Sequence, residues 1–285
     1  MPPAALGLVL AGALCHSAYN LLLKGTGARG LVSVLALLAG SALCAPALLW
    51  HPLTAIPPLG WALALSSGVL EFVYFRALTA AYAAGDLSLV YPIARGVAPV
   101  LTVPLAALVL GERPSAVGLA GIAVVASGIV AGHIGSLRRL VGAGGDRRAA
   151  MLAGLSGLMT ACYSLVNKRG VALMPPLVWA ALVFPVAAGL VWLSLLRAGG
   201  LSRPGGEEPV LRHSLGVGVF MTANYVAVLL AMQRAPVSYV VAVREVSIVL
   251  TPILASLILG EPRSGMRLAS AAVIFAGVAL IALSR

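Results

Sequence analysis

The chain has 285 residues, of which 61% are hydrophobic and 9% charged, with a formal charge of +11 and a mean hydropathy of +1.04. Soluble domains carry about 25% charged residues, so this composition excludes a water-soluble globule and leaves no room for a sizeable soluble domain beside the apolar segments. The basic residues sit mostly at the ends of apolar runs, where they face anionic headgroups, so no nucleic-acid partner is implied.

A helix crossing hydrocarbon roughly 30 Å thick needs about 20 apolar residues, with every backbone group paired internally. Ten stretches meet that condition in chain order. The first, 4–23, has no Lys or Arg ahead of its apolar run and lasts a full span, which separates it from a cleaved signal peptide. His16, Asn20 and Lys24 recur on it every four residues as a polar stripe, with Tyr19 alongside. The second is 31–50. The third, 59–84, carries Glu71, Tyr74 and Arg76, and the fourth, 87–110, carries Arg95 between Pro92 and Pro99. After the fifth, 114–134, comes a Gly- and Arg-rich connector. The sixth, 149–166, repeats the polar stripe as Thr160, Ser164 and Lys168, with Tyr163 beside it. The seventh is 174–196, and the eighth, 214–232, contains Asn224 and Tyr225. The ninth, 237–259, contains Arg244 and Glu245, and the tenth is 265–283.

Cys15, Cys44 and Cys162 all lie in apolar spans without a CxxC pair and read as small buried hydrophobes. His16, His51, His133 and His213 lie in different segments without ligand spacing, so no metal is expected. No Gly-rich phosphate loop, HExxH or GxSxG occurs, so no cofactor is expected.

The chain repeats itself. Shifted by 149 positions, "RGVAPVLTVPLAALVLGERPS" (95–115) falls on "REVSIVLTPILASLILGEPRS" (244–264), with 17 identities in the 34 positions from Arg95. Apolar matches carry little weight in such a sequence, but Arg, Thr, Gly-Glu and Ser coincide as well. Shifted by 144, "HSAYNLLLK" (16–24) falls on "TACYSLVNK" (160–168). Each half therefore holds five spans: 1–137 is the first repeat, 138–148 a basic linker, and 149–285 the second repeat. Five is odd, so the second copy starts from the opposite face and the halves are related by an axis in the membrane plane. Inverted repeats around one central site are the architecture of secondary transporters. The expected fold is an all-α integral membrane protein, with ten transmembrane helices forming two inverted five-helix repeats around a central cavity.

The ten spans, the duplication, "GDLSLVYPIARG" at the start of span 4 and "LGE" closing spans 4 and 9 resemble the drug/metabolite transporter superfamily, in its EamA branch. The resemblance covers the whole chain. It implies a helical basket around a central cavity and movement of small metabolites, in a branch that handles amino acids, nucleobases, sugars and toxic compounds. Two positions depart from the internal repeat: Asp86 of "GDLS" aligns with Ala235, and Gly118 with Arg267.

Five charged residues lie well inside spans: Glu71, Arg76, Arg95, Arg244 and Glu245. At about 3 kcal/mol each on insertion scales they would together cost on the order of 15 kcal/mol in lipid, so they must face protein or water. Two acids and three arginines allow two ion pairs with one arginine left over. Arg95 and Arg244 are equivalent, and each has a threonine seven residues on, Thr102 and Thr251, on the same helix face. A guanidinium fork suits a carboxylate or phosphate, so these four residues are candidates to hold an anionic group; the competing reading is that the arginines lock the halves together. Pro92 and Pro99 predict a disturbed helix around Arg95. His16, Tyr19, Asn20, Tyr74, Tyr163, Ser164 and Asn224 are further candidates to line the cavity, with interhelical hydrogen bonding as the alternative for the polar stripes. Glu71 and Glu245 are the candidates for proton coupling, because desolvation penalises a carboxylate's charge and lets protonation compete with substrate; Glu245, next to Arg244, is the weaker. Glu112 and Glu261 end their helices and read as structural.

The expected function is alternating-access transport of a small amino-acid-like, anionic or zwitterionic metabolite, by proton coupling or exchange. A membrane-embedded lipid-modifying enzyme or a non-transporting scaffold is the alternative, but no catalytic constellation accompanies the charged loops. The expected partners are a small molecule and the lipid bilayer, and the expected location is a bacterial inner membrane. Orientation is in conflict: Lys and Arg outside the spans number 11 in the odd-numbered loops against 5 elsewhere, which puts both termini outside, whereas the family resemblance puts both in the cytoplasm.

Overall fold

The computed structural model describes every residue except 25, 27, 86, 133–146, 199–209, 260–264 and 285, with the backbone alone at 87–89, 255, 259 and 265–268. Most of the expected 138–148 linker, and Asp86, His133 and Glu261, lie outside the described residues. The described chain forms α1 (Pro3–Lys24), α2 (Arg29–Cys44, extended by a 3₁₀ turn Ala45–Leu49), α3 (Pro58–Ala84), α4 (Leu87–Leu110) and α5 (Ala116–Ala131). The second half forms α6 (Arg147–Leu173), α7 (Pro176–Arg197), α8 (Val210–Met232), α9 (Val237–Arg244), α10 (Ser247–Leu259) and α11 (Gly265–Leu283). Eight segments are long and apolar enough to cross a membrane, one of them α9 and α10 taken together, and two shorter apolar helices accompany them, Ala116–Ala131 and Ala269–Leu283.

Local chemistry sets the helix ends. Pro58 and Pro176 occupy first turns, where the missing N–H costs nothing. The Ser115 hydroxyl caps α5 by accepting from the Gly118 N–H at 3.3 Å. Gly111, at φ 67°, ends α4 in the left-handed region that a side chain would resist.

Packing runs between the halves far more than within them. The most extensive contacts are α3 with α6, α1 with α8, α5 with α11, α4 with α6, and α2 with both α8 and α7. Under exchange of the repeats, the α3–α6 pair becomes α8–α1, while α5–α11 and α2–α7 map onto themselves.

The self-paired helices show the inversion directly. A Cβ on Gly121 would lie 2.8 Å from the Gly277 carbonyl, one on Gly277 equally close to the Gly121 carbonyl, and one on Gly132 2.6 Å from Ser270 Oγ. Numbers rise along α5 as they fall along α11, so the helices are antiparallel. Ser270 Oγ donates to the Gly128 carbonyl at 2.7 Å, and the 149-residue shift exchanges the 121:277 pair with the 128:270 pair. Only a two-fold axis perpendicular to both helices does this, and for helices that cross the bilayer that axis lies in the membrane plane. α2 and α7 obey the same rule: Gly30 meets Leu195, and Ser41 Oγ donates to the Ala181 carbonyl at 3.1 Å.

One expectation is corrected. α4 runs unbroken through Pro92, Pro99 and Pro104; the interruption falls in the second copy, between α9 and α10. There the N–H groups of Glu245 and Val246 bond three residues back, to Ala242 at 3.2 Å and Val243 at 3.1 Å, and Ile248 and Val249 do likewise to Glu245 and Val246 at 2.9 Å. The helix tightens locally to a 3₁₀ turn, a feature that often marks a functional site. Packed neighbours hold the proline-bearing α4 together, as in other membrane helices. The break lies at a residue where the copies differ: Glu245 stands where the first repeat has Gly96.

Candidate functional site

Every residue from Val237 to Val249 is buried, so α9 and its break form the centre of the molecule. Beside it lies a cavity of about 300 Å³, lined from α1, α2, α3, α4, α6, α7, α8 and α9. Its lining reaches Leu23, Ser33 and Tyr82, near the ends of α1, the start of α2 and the end of α3. The cavity therefore extends toward the face opposite the one where α1 begins.

The structure brings Arg95, Arg244 and Glu245 together on one wall. Glu245 Oε2 is 3.4 Å from Arg95 Nη1 and Oε1 is 4.0 Å from Arg244 Nε. One carboxylate thus sits between two guanidiniums, and both contacts exceed the roughly 2.7–2.9 Å of a charge-assisted hydrogen bond. Neither Glu245 oxygen nor Arg244 Nε has a hydrogen-bond partner. The two arginines differ in their other partners. Arg95 Nη2 donates to His16 Nε2 at 2.6 Å, and its guanidinium carbon lies 5.7 Å from the centre of the Tyr91 ring. Arg244 has a single long bond, Nη1 to Tyr163 OH at 3.5 Å.

The arginine fixes the histidine. A guanidinium can only donate, so His16 Nε2 accepts, the ring is neutral, and its proton is on Nδ1, 2.8 Å from Tyr19 OH. Asn20 Nδ2 donates to the His16 carbonyl at 2.7 Å, which orients a second amide on the same wall. Tyr74 and Tyr163 meet edge to face at 5.9 Å between ring centres.

Glu71 departs from the expected ion pairing. No described cation lies within 4.0 Å of it; its neighbours are neutral hydroxyls, Tyr225 OH, which donates at 2.8 Å, and Ser67 Oγ at 3.4 Å. Behind Ser67 stands Asn167, whose Oδ1 accepts from Ser67 Oγ at 2.6 Å and from Trp179 Nε1 at 3.0 Å. Gly170, one turn along α6, makes room for this indole: a Cβ there would lie 2.1 Å from the ring. Arg76, expected to need a buried partner, is exposed, and it lies eight residues from the end of α3, so its long side chain can snorkel.

Of the remaining sequence candidates, His16, Tyr19, Asn20, Tyr74, Tyr163 and Asn224 line the cavity. Thr102, Thr251 and Ser164 are outside its lining. Thr102 is fully buried and donates to the Ala98 carbonyl at 2.7 Å; seven residues beyond Arg95 is about 10.5 Å along the helix, past the cavity floor. Thr251 follows the tightened turn, which rotates it off the Arg244 face, and it donates to Ser17 Oγ at 2.9 Å. Ser164 bonds back to the Thr160 carbonyl at 2.7 Å. The face of α6 toward the cavity is Thr160, Tyr163 and Asn167, an i, i+3, i+7 row rather than the expected i, i+4, i+8 stripe.

Sequence reasoning missed Asn167, Ser67 and Trp179. Ser67 lies one turn before Glu71, a signal that was legible; the Trp179 contact depends on tertiary packing. Of the aromatic walls it named tyrosines such as Tyr19, Tyr74 and Tyr163 but missed Tyr82, Phe72, Phe75 and Phe184: five of the seven tyrosines and three of the five phenylalanines line the cavity, in a chain that is only 6% aromatic.

The face where α1 begins is closed by polar contacts. Glu112 accepts from the N–H groups of Val237 at 2.6 Å and Ser238 at 3.3 Å, and from Ser238 Oγ at 2.9 Å. Tyr239 OH accepts from the Ser115 N–H at 2.9 Å. Lys168 Nζ donates to the Met232 carbonyl and to that of Ala235 at 3.0 Å, so this lysine satisfies the open end of α8.

Compared with known proteins, the chain matches the EamA-like transporter family over residues 3–131 and again over 147–283. Among the 29 solved chains that match, one described as "Crystal structure of protein" superposes with a TM-score of 0.80 at 22% identity, covering 99% of this chain and 98% of its own. At that identity the likeness shows the fold alone. No curated relative matches the chain.

Proposed function

The chain belongs to the EamA-like transporter family, and from that premise we propose that it carries a small metabolite with a carboxylate or similar anionic group, held at Arg244, through the central cavity by alternating access. The family makes it a multi-pass membrane transporter of the drug/metabolite type. The observation that carries it is the poor use of the Arg244 fork: an unpartnered Nε, one bond at 3.5 Å and a carboxylate no nearer than 4.0 Å. Arg95, tied to His16, Tyr91 and Glu245, acts instead as the positioning residue that keeps Glu245 between the two charges. The aromatic walls favour a substrate with a flat or apolar body, and a cavity of about 300 Å³ limits it to a small molecule. Glu71, set among neutral hydroxyls, is the proton-coupling group in this reading, and Glu245 is a fixed counter-ion.

The test is ligand-induced thermal stabilisation of the purified chain with a panel of small carboxylates, amino acids and neutral amides, followed by flux of the hits in proteoliposomes. Hits should share a carboxylate, and Arg244→Gln should abolish their effect by tenfold or more in apparent affinity, in line with the loss of a buried charged hydrogen bond of about 1.5–3 kcal/mol. Neutral amides stabilising as well as carboxylates would sink the reading.

A further inference from the structure

With Glu71 ionised, the cavity's charges balance before any substrate enters: Arg95 and Arg244 supply two positive charges, Glu245 and Glu71 two negative ones, and His16 is neutral because its Nε2 accepts from a guanidinium. An arriving anion upsets that balance in a region walled by protein and hydrocarbon, where a net charge is costly. We propose that a monoanion entering the cavity brings a proton with it, taken up by Glu71, so that an anionic substrate crosses together with one proton and a zwitterion crosses without one. This rests on the reading of Arg244 as the anion anchor.

The hydrogen bonds around Glu71 suit both of its states. Trp179 Nε1 can only donate, so the Asn167 atom it reaches at 3.0 Å is the oxygen. Ser67 Oγ, 2.6 Å from that oxygen, must therefore spend its one proton on Asn167. Its lone pairs are left facing Glu71 Oε1 at 3.4 Å. The ionised carboxylate is served by the Tyr225 hydroxyl at 2.8 Å; the protonated acid finds an acceptor in Ser67. In the step itself a solvent proton adds to Oε1, forming the acid O–H that Ser67 accepts, and no other bond is made or broken.

The groups that face Glu71 are Ser67 on α3, Asn167 on α6, with Trp179 of α7 behind it, and Tyr225 on α8, and Arg244 of α9 is the guanidinium whose field reaches it. Neutralising Arg244 with an anion removes a charge that favours the Glu71 carboxylate, so binding and protonation reinforce each other. Glu245 is fully buried between two guanidiniums and is their shared counter-ion.

Isothermal titration of the full-length protein in detergent, in two buffers of different ionisation enthalpy, counts the protons. The probes are benzoate as a monoanion and phenylalanine as a zwitterion. Benzoate should bind with uptake of about one proton, and above the pH where Glu71 gives up its proton its apparent Kd should rise about tenfold per pH unit. Phenylalanine should bind with no proton exchanged. Glu71→Gln keeps the size and the Tyr225 bond; its benzoate binding should take up no proton and lose its pH dependence. Benzoate binding that is lost in Arg244→Gln yet takes up no proton overturns the inference and leaves the anchor standing. Proton uptake surviving in Glu71→Gln, or accompanying phenylalanine, overturns it as well. If neither probe binds, or binding ignores Arg244→Gln, the anchor reading fails and this inference falls with it.

Discussion

At the scale of single residues, the lone carboxylate between two guanidiniums governs the site. Removing one partner of a buried ion pair strands the other charge, at a cost of about 3–5 kcal/mol. Glu245→Gln should therefore destabilise the protein by that order, because it leaves Arg95 and Arg244 facing each other across the vacated position. Arg244→Gln leaves Glu245 its contact with Arg95 and should cost less. Thermal melts of both variants in one detergent decide it, and an equal loss contradicts the assignment of Arg95 as the principal partner. The arginines, the acids and the stripe on α1 were legible in the sequence because any ionisable residue inside an apolar run demands a partner. What was hidden is which acid serves which base. Glu71 and Glu245 look alike in a sequence, and only packing shows one between two cations and the other among hydroxyls. Thr102 misled because seven residues keep the face of a helix but change the depth by two turns, and Thr251 because the tightened turn between it and Arg244 breaks the helical register.

At the scale of elements, the "LGE" at the end of α4 acquires a mechanical reason. Gly111 turns the chain out of the helix at positive φ, and Glu112 then reaches across to the start of α9, where its carboxylate takes two backbone N–H groups and a hydroxyl. An anionic cap at a helix N-terminus satisfies orphan donors and meets the helix dipole. Glu112→Ala should cost about 1–2 kcal/mol, read as a lower melting temperature, and should loosen the closed face, read as faster labelling of a cysteine introduced at Ser238. A melt unchanged from wild type removes the cap from the account. The motif's recurrence was visible in the sequence and its structural role was anticipated, but its partner was not, since the capped helix belongs to the other repeat. The break between α9 and α10 was likewise hidden: Pro92 and Pro99 drew attention to α4, whereas the turn that tightens contains no proline. Sequence breakers mark lost donors, and in a packed membrane helix neighbours make good that loss.

At the scale of the molecule, the two halves are not domains in the energetic sense. The extensive helix pairs, α3–α6, α1–α8, α5–α11 and α2–α7, all join one repeat to the other. The reciprocal approach of Gly121 and Gly277, each of whose Cβ would meet the other's carbonyl at 2.8 Å, lets two backbones touch across the axis. A half-chain alone therefore exposes the faces it needs to bury, and its five helices have little to pack against. Expressed separately, 1–137 should insert but fail to give a cooperative melt or a monodisperse species in detergent. Co-expressed with 138–285 it should assemble, because the cut falls between the repeats and severs none of these pairs. Gly121→Ala in the first fragment should weaken that assembly, since overpacking costs about 1–3 kcal/mol and here the obstacle is backbone rather than a yielding side chain. Co-purification of a tagged first half with an untagged second half measures it. Independent folding of either half would mean that the interface between repeats is not the core, and that the pseudo-two-fold seam is a contact between two finished units.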